Sequence, residues 1–448
     1  MNPGHATVPA AAADFPAPKQ GYYVLAVLIL AYIVSYIDRT MLTLLVDPIR
    51  ATLQISDFQI SLLHGFAFAI FYTVLGLPMG RIADRYNRRN LIIGGILFWS
   101  IATALCGFAR NFWQMFAARV SVGVGEATLS PSAYSLLSDY FPPERRSRVL
   151  SIYTSGIYLG AGIATFGGGA LIAFVPGLHI PGFGYHEPWQ IVFLIIGMLG
   201  LPVGIALLTV REPHRRGVQA TLAPGVDAVR IPLAAILTYM WERRRVYAML
   251  ILGISCYAMM TNGLKGWIPT FLQRTYGWSP ADVGVQFGLV LLVFGTLGTA
   301  WGGFGAVWLA KRGYADANMR LSIIAALLIL PFAIAAPLMP TGQLSLALYA
   351  IVILLAGVPF GVSAAAIQQI TPNRMRGQVS AVYLFWLNLA GIGTGPIVVA
   401  YFTDYVFHSD QALGYSLACL AAVTVPLSAL FFCAGLRPFR STLAQGEF

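Results

Sequence analysis

Charge is scarce in this chain of 448 residues, because Asp, Glu, Lys and Arg together make up only 10% of it. Soluble globular domains carry about 25% charged residues. Hydrophobic residues account for 58% of the sequence, so an ordinary soluble fold is excluded. The composition predicts an all-α membrane protein that crosses the bilayer many times.

Cysteine is also rare. Four cysteines, Cys106, Cys256, Cys419 and Cys433, stand singly in apolar segments, without the paired spacing of a zinc or redox site. The glycine-rich stretches do not open a strand-to-helix loop of the kind that binds nucleotides. The sequence shows no Ser-His-Asp, zinc or Walker pattern. We therefore expect no cofactor, no metal and no enzymatic activity.

Acidic residues number 17 against 28 basic ones, which gives a net charge of +11. A nucleic-acid-binding protein could have this imbalance, but its bases would cluster on one face. Here most bases fall in alternate loops, and only Arg50, Arg110 and Arg274 fall on the other side. This asymmetry follows the positive-inside rule. It predicts that both termini are cytoplasmic, in the inner membrane if the protein is bacterial.

Windows of about 20 apolar residues predict twelve membrane spans, which we number 1 to 12. They lie near residues 22–46, 58–80, 90–109, 112–138, 148–174, 189–210, 246–274, 282–310, 320–339, 345–370, 378–406 and 413–434. The expected fold is two pseudo-symmetric six-helix halves, residues 21–210 and 246–436. Residues 1–20 are predicted to be a disordered tail, and residues 437–448 a cytoplasmic tail.

A polar linker at residues 211–245 separates the two halves. Apolar residues recur there at helical spacing, at Val229, Leu233, Ile236, Leu237 and Met240. This pattern predicts a short helix that lies either on the cytoplasmic membrane surface or beneath the bundle.

The loop after span 2 contains Gly80, Asp84 and Arg85, followed by further arginines. This combination resembles the signature of the major facilitator superfamily of transporters. The glycine permits close helix approach, and the aspartate can meet a helix N-terminus or an arginine when the cytoplasmic side is shut. Arg145 and Arg148, in the loop after span 4, offer partners for Asp84. A solvated basic loop would explain the arginines but not Gly80 and Asp84, so we expect a cytoplasmic gate.

The second half repeats the first only weakly, at an offset of 230 residues. The matches pair Pro142, Arg146, Val149 and Tyr153 with Pro372, Arg376, Val379 and Tyr383. Internal repetition is expected of transporters with two related halves. The second copy of the gate motif, Gly305 to Arg312, has no aspartate. A symmetric second gate is therefore not expected.

Two further strings narrow the resemblance. One is Tyr36-Ile-Asp38-Arg39 in span 1, and the other runs from Arg119 to Glu126 in span 4 and then to Ala127. Together they resemble the spinster family of lipid-related transporters. The resemblance runs through most of the first half and implies an amphiphilic substrate such as a lysophospholipid or a sphingolipid phosphate.

Arg119 and Glu126 lie in an otherwise apolar membrane span, where ionisable side chains are a functional hypothesis by default. Seven residues is close to two helical turns, so they share one face roughly 10 Å apart. Counted from the cytoplasmic ends at about 1.5 Å per residue, Asp38 lies roughly 24 Å up, Glu126 roughly 20 Å and Arg119 roughly 30 Å. We predict Glu126 and Asp38 for proton coupling and Arg119 as their counter-ion and substrate anchor. A permanent ion pair that fixes helix packing is the alternative.

Three more ionisable residues each have two or more possible roles. Lys265 in span 7 could hold a phosphate or carboxylate, but its depth of roughly 28 Å also suits a snorkelling position at the outer interface. Arg39 points about 100° away from Asp38 and either contacts substrate as a counter-ion, snorkels or bonds backbone carbonyls. His64 in span 2 is more typical of a packing histidine than of a proton carrier.

The sequence therefore predicts a proton-coupled, alternating-access transporter of an amphiphilic substrate, acting as a monomer among membrane lipids. A proton-coupled organic anion symporter is the alternative, and would bring cations from both halves together in one pocket. A receptor or scaffold that does not transport is the other hypothesis. The gate motif around Asp84 argues against it, because a static bundle needs no breakable latch.

Overall fold

The computed structural model describes residues 15–215, 232–372 and 375–445 of the chain, and within them the fold is a helical bundle. The first half comprises Pro18–Leu44 (span 1), Val46–Leu53, Asp57–Ser61 continued by Leu62–Phe66 and Ala67–Arg85 (span 2), Arg88–Cys106 (span 3), Phe112–Glu126 and Leu129–Tyr140 (span 4), Pro143–Phe174 (span 5), strands Leu178–Ile180 and Gly184–His186, and Pro188–Leu208 (span 6). The two strands pair in antiparallel register, Leu178 opposite His186.

The second half repeats this order of six spans. It comprises Arg244–Tyr276 (span 7), Pro280–Val290 continued by Leu291–Gly295 and Thr296–Lys311 (span 8), Ala317–Ala335 and Ala336–Leu338 (span 9), Gly342–Ala356 and Val358–Gln369 (span 10), Arg376–Asn388 continued by Leu389–Thr394, Gly395–Tyr401 and Phe402–Val406 (span 11), and Asp410–Ala412 followed by Leu413–Ala444 (span 12). Twelve spans in two halves confirm the predicted fold class.

Span 4 differs from the single helix expected at residues 112–138. Eleven helices in the described part of the chain are long and apolar enough to cross a membrane by themselves. Span 4 instead consists of two shorter helices, Phe112–Glu126 and Leu129–Tyr140, interrupted at Ala127 and Thr128. Neither piece reaches the roughly 20 residues that a single spanning helix needs. The interruption comes directly after Glu126.

The linker region also contains a helix, Leu233–Glu242. Ile236 is buried and the Tyr239 hydroxyl donates to the Ile370 carbonyl, whereas Leu237 and Trp241 are exposed. One face of this helix therefore packs beneath the second half and the other remains uncovered. Val229 lies outside the described residues.

The halves approach each other most closely where glycines remove side chains. Spans 5 and 8 pack tightly, since a Cβ on Gly288 would lie 2.9 Å from the Phe166 nitrogen. Spans 2 and 11 meet at their π-helical turns, where a Cβ on Gly65 would lie 2.5 Å from the Ile392 carbonyl oxygen. Close approach through small residues is typical of membrane helix contacts. These contacts frame a central cavity between the halves.

Candidate functional site

Four charged residues, three of them buried, link spans 1 and 4 as two separate ion pairs. Asp38 and Arg39 are consecutive on span 1, and Arg119 and Glu126 lie two turns apart on span 4. Arg119 pairs with Asp38, whereas Glu126 pairs with Arg39. The expected contact between Glu126 and Arg119 is wrong, because the two side chains are too far apart on one helix and each meets a nearer partner on span 1.

Glu126 accepts three contacts on one carboxylate oxygen. Its Oε2 lies 2.5 Å from Arg39 Nη2 and 2.7 Å from Arg39 Nε, and it accepts a hydrogen bond of 2.5 Å from the Ser35 hydroxyl. The other oxygen, Oε1, is buried and has no hydrogen-bond partner among the described residues. A buried acceptor without a partner is costly. Glu126 can therefore gain a bond by taking up a proton or by changing partner.

The Arg39 guanidinium lies among three aromatic rings. Its carbon Cζ is 5.0 Å from the ring centroid of Tyr36, 4.4 Å from that of Phe68 and 4.7 Å from that of Tyr72. Cations over aromatic faces are stabilised electrostatically, so Arg39 keeps favourable contacts even without Glu126. The side chain is 14% exposed and borders the cavity.

Gly123 and Gly125 bring Glu126 to this position. A Cβ on Gly123 would lie 2.7 Å from the Phe68 carbonyl oxygen of span 2, and one on Gly125 would lie 2.8 Å from Trp99 Cβ of span 3. Span 4 can pack this closely against its neighbours only because these positions have no side chain.

The Asp38–Arg119 pair is more deeply enclosed. Arg119 Nη1 lies 2.6 Å from Asp38 Oδ1, its side chain is 0% exposed, and the Thr103 hydroxyl donates to Asp38 Oδ2. Arg119 does not line the cavity. The geometry therefore does not favour Arg119 as a substrate anchor. Arg39, whose role the sequence leaves open, is the arginine that lines the cavity.

The central cavity has a volume of about 150 Å³ and lies between the halves. Its lining residues are mostly apolar or aromatic: Tyr36, Arg39, Thr40, Thr43, His64, Phe68, Ile157, Tyr158, Ala161, Asn262, Lys265, Gly266, Phe287, Leu291, Ile392 and Pro396. A second opening of about 230 Å³, bordered by Tyr72, Tyr134 and Phe385, lies between spans 2, 4 and 11.

Lys265 enters the cavity from the second half. Its Nζ lies 5.2 Å from the Tyr158 ring centroid, and within the described residues it forms no ion pair. The structure places Lys265 on the wall of this cavity. Span 7 has 33 residues, about 50 Å at 1.5 Å per residue, which is longer than the roughly 30 Å hydrocarbon core. A count from Arg244 therefore does not fix the depth of Lys265, and the snorkelling position stays a prediction. His64 lines the same cavity.

The basic end of the bundle, where span 1 begins, contains the expected gate residues. Arg85, Arg145 and Arg148 are exposed. Gly80 is only loosely packed, since the nearest atom to an added Cβ would be Pro131 Cβ at 4.0 Å. The side chain of Asp84 lies outside the part of the structure that is described. The structure therefore brings none of these arginines into a described latch.

Arg88 is the important residue of this loop that the sequence did not reveal. It is buried, forms an ion pair with Asp139 and lies 2.7 Å from Glu212 through its Nε. It thereby ties span 3 to the end of span 4 and to the start of the linker. The available signal was an acidic residue near the end of span 4 and another at the start of the linker, Asp139 and Glu212.

A similar cluster lies in the second half, but it has one acid and two bases where the Arg88 cluster has one base and two acids. Asp316 accepts from Arg320 at 2.8 Å and from Arg440 at 2.7 Å. Burial raises the pKa of Asp316, but the two guanidinium groups outweigh it and hold that pKa below its usual range. Each cluster stays within one half.

Among the described side chains, the ion pairs that join the two halves lie at the end of the bundle opposite the basic end. We call this the far end. Arg274 of span 7 lies 2.5 Å from Asp47 and 2.7 Å from Asp57 of the first half, and Arg50 lies 2.8 Å from Asp410 of the second. These five residues form a latch that joins the halves there. In the sequence, Arg50 and Arg274 stand out only because few basic residues lie on that side of the membrane.

The comparisons with known proteins agree with this geometry. A sequence profile of the Major Facilitator Superfamily matches residues 28–396. An MFS-type efflux pump of Mycolicibacterium smegmatis is 28% identical over 437 residues, which cover 97% of this chain and 96% of that protein. Protein spinster homolog 1 of Rattus norvegicus is 30% identical over 306 residues, 63% of this chain. The chain spans about half the length of that spinster protein, 54%.

A solved structure shows the same likeness over nearly the whole chain. A bacterial homologue of the human lysosomal transporter spinster, in an inward-facing and unoccupied conformation, superposes with a TM-score of 0.79 at 26% identity. The match covers 95% of this chain and 99% of that one. The resemblance to the spinster family is thus confirmed, and the chain belongs to the Major Facilitator Superfamily.

Proposed function

We propose that this protein is a proton-coupled transporter that works by alternating access and moves an amphiphilic, lipid-like molecule with an anionic group. The observation that carries the proposal is the position of Glu126. It is a buried carboxylate with a free oxygen, and its partner Arg39 borders the central cavity. Proton transfer and substrate binding would then compete for one guanidinium.

The proposed exchange balances charge. A proton that binds to Glu126 turns its carboxylate into a neutral acid and removes the partner of Arg39. The freed guanidinium, still held by its three aromatic rings, then binds an anionic substrate group in the cavity. Loss of the proton restores the Arg39–Glu126 pair and releases the substrate. Arginine suits this role because its planar fork binds carboxylates and phosphates with two hydrogen bonds.

The position of Lys265 is a second argument for a substrate with an anionic group. Because Glu126 neutralises Arg39 in the resting arrangement, Lys265 is the described charge on the cavity wall that lacks an opposite partner. The aromatic and apolar side chains beside it, including Phe68, Tyr158 and Phe287, suit the apolar part of an amphiphile. Ligand sites commonly combine such walls with a few polar groups.

The two ends of the bundle differ, because the described ion pairs between the halves lie at the far end and not at the basic end. This difference supports an alternating-access cycle. If the basic end is cytoplasmic, with both termini there in the inner membrane, the far-end latch closes the outer side and the structure represents an inward-facing state. Opening would break the contacts of Arg274 and Arg50 and close the basic end, where Asp84 and the exposed arginines Arg85, Arg145 and Arg148 would meet. A receptor or scaffold without a cycle would not need this difference.

A proton-coupled organic anion symporter is the second candidate. It is favoured by the convergence of Arg39 from the first half and Lys265 from the second on one small cavity of about 150 Å³. The two candidates differ in the size of the apolar part of the substrate rather than in the anionic group.

A binding screen tests the proposal and separates the candidates. Purified monomeric protein would be heated with lysophosphatidylglycerol, lysophosphatidylcholine or a small carboxylate such as galactonate, with Lys265→Gln as a control. The proposal expects the anionic lysolipid to raise the unfolding temperature of the wild type more than that of the variant. Stabilisation by galactonate alone would favour the symporter, and no stabilisation by any anion would contradict both.

A further inference from the structure

A large cavity lies away from the central cavity, on the lateral surface of the second half. Its volume is about 710 Å³, and residues of spans 8, 9 and 10 line it. That volume lies within the range of roughly 300–1,000 Å³ that is typical of small-molecule sites. None of its lining residues borders the central cavity.

Span 8 forms one wall of this groove with a row of large apolar residues. Trp301 is 66% exposed and Phe304 is 76% exposed, and Trp308 lies one turn further along the same face. Leu321, Ile324 and Leu328 of span 9 form the opposite wall. In a membrane span such a surface faces lipid, so acyl chains fit its apolar walls.

Glycines of span 8 make the groove deep. A Cβ on Gly302 would lie 3.0 Å from the Val358 carbonyl oxygen of span 10, and one on Gly305 would lie 3.0 Å from Leu321 of span 9. Span 8 therefore lies close to spans 9 and 10 at these two glycines, which form the floor of the groove. The tryptophans and the phenylalanine of span 8 project outward from this floor. The walls then stand above a narrow floor.

Two positive charges lie at the mouth of the groove on the basic end. Lys311 lines it, and the Arg312 guanidinium lies 3.7 Å from the ring centroid of Trp308. Neither forms an ion pair with a described carboxylate, whereas nearby Arg320 is paired with Asp316. Lysine and arginine at a membrane surface attract anionic headgroups, and tryptophan favours the same interfacial depth.

We propose that this groove binds a phospholipid with a net negative headgroup, whose phosphate contacts Lys311 and Arg312 and whose acyl chains lie between Trp301, Phe304 and the residues of span 9. The stretch Gly305 to Arg312 is the second copy of the gate motif, the copy without an aspartate. In this half the motif's glycine and bases serve a lipid site instead of a gate.

Native mass spectrometry of the whole protein tests the site. The wild type would be mixed with dioleoyl phosphatidylglycerol or dioleoyl phosphatidylcholine, and the affinity of the tightest bound lipid measured for each. We expect tighter binding of phosphatidylglycerol. The variant Lys311→Gln/Arg312→Gln should weaken it by roughly 10- to 30-fold, because each base contributes to the attraction, and should leave phosphatidylcholine binding unchanged.

Arg244 and Arg245 provide the matched control. They are also an adjacent, exposed basic pair at the basic end, and Arg244 lies over a tryptophan ring, 5.4 Å from the Trp241 centroid. They line none of the described cavities. The variant Arg244→Gln/Arg245→Gln should retain its preference for phosphatidylglycerol. Equal losses in both double variants, or equal binding of the two lipids by the wild type, would overturn the proposal.

A second readout does not depend on charge variants. In liposomes that contain phosphatidylglycerol with brominated acyl chains, Trp301 and Trp308 should be quenched at a lower lipid fraction than with brominated phosphatidylcholine. The variant Trp301→Phe/Trp308→Phe should lose this low-fraction component. If the component persists in that variant, the anionic lipid binds elsewhere and the groove assignment fails.

Discussion

The two walls of the central cavity differ in how their charges are compensated. On the first-half side, Arg39 lines the cavity and is paired with Glu126, and the Asp38–Arg119 pair lies enclosed nearby. On the second-half side, Lys265 lies beside the Tyr158 ring and has no ion-pair partner among the described residues. In the proposed cycle the Arg39–Glu126 pair changes its charge when Glu126 takes up a proton, whereas Lys265 attracts an anion without a competing carboxylate. The proposal therefore assigns the proton to the first half and gives the second half a share in binding the anionic group.

The two ion pairs of the first half also differ from each other. Arg119 and Asp38 are enclosed by protein, while Arg39 borders the cavity and has three aromatic rings around it. Enclosure makes the first pair a fixed support, because neither charge can find water if its partner moves. Contact with the cavity lets the second pair open and close.

The largest effect is expected at the enclosed pair. Arg119→Gln leaves Asp38 buried without its counter-ion, a change that typically destabilises by about 3–5 kcal/mol. The midpoint of thermal unfolding in detergent measures it. The double variant Asp38→Asn/Arg119→Gln should recover part of the loss, because no lone charge remains. An unchanged midpoint in Arg119→Gln would show that the pair is not a support.

A smaller loss of stability is expected at Arg39. Arg39→Gln removes the charged partner of Glu126, and hydrogen bonds to charged groups contribute about 1.5–3 kcal/mol. Water in the cavity can reach this site, so the thermal midpoint should fall less than in Arg119→Gln, while transport should fall more than tenfold. Arg39→Lys, which keeps the charge, serves as control. Equal loss of stability in Arg39→Gln and Arg119→Gln would erase the distinction between the pairs.

Lys265 should affect affinity but leave proton coupling intact. Lys265→Gln removes one charge-assisted hydrogen bond, so the affinity for an anionic substrate or lysolipid probe should fall about tenfold, equivalent to about 1.4 kcal/mol. Lys265→Arg should keep most of the affinity. Titration calorimetry checks both variants. Unchanged affinity in Lys265→Gln would contradict the role assigned to the second-half wall.

The smallest effect is expected at the far-end latch. Arg274→Gln removes the contacts with Asp47 and Asp57, but Arg50 still joins Asp57 to Asp410. The population with an open far end should therefore rise only a few-fold. Double electron–electron resonance measures that population. The spin labels are attached at Ala51→Cys and Gln411→Cys in a chain whose native cysteines are replaced. An identical distance distribution in Arg274→Gln would show that the latch does not hold the far end shut.

The fold could be predicted well because membrane spans depend on a strong, local signal. Apolar windows of the length of the bilayer core located eleven spans directly. Span 4 is expected at the right place but as one helix, whereas the structure has two helices interrupted at Ala127 and Thr128. Pro131 has no backbone N–H to donate to the Ala127 carbonyl and its ring clashes with that carbonyl, so the sequence does contain a signal for this interruption.

The site could be predicted only as a set of residues. Depth along a helix brought Asp38, Arg119 and Glu126 to one region, but the choice of partners depends on how span 1 is rotated about its axis. That rotation directs Arg39, not Asp38, towards Glu126. A count from the start of span 7 does not fix the depth of Lys265, because the span is longer than the bilayer core. The sequence does not single out Arg88, because its acidic partners, Asp139 and Glu212, are distant in sequence.

The central claim is that Glu126 carries the proton, and reconstituted liposomes test it most directly. For a substrate identified by the binding screen, two rates are compared in the wild type and in Glu126→Gln: accumulation driven by a pH gradient, and exchange of labelled for unlabelled substrate without a gradient. We predict that Glu126→Gln abolishes the gradient-driven accumulation and retains exchange. Full gradient-driven accumulation in Glu126→Gln would contradict the account.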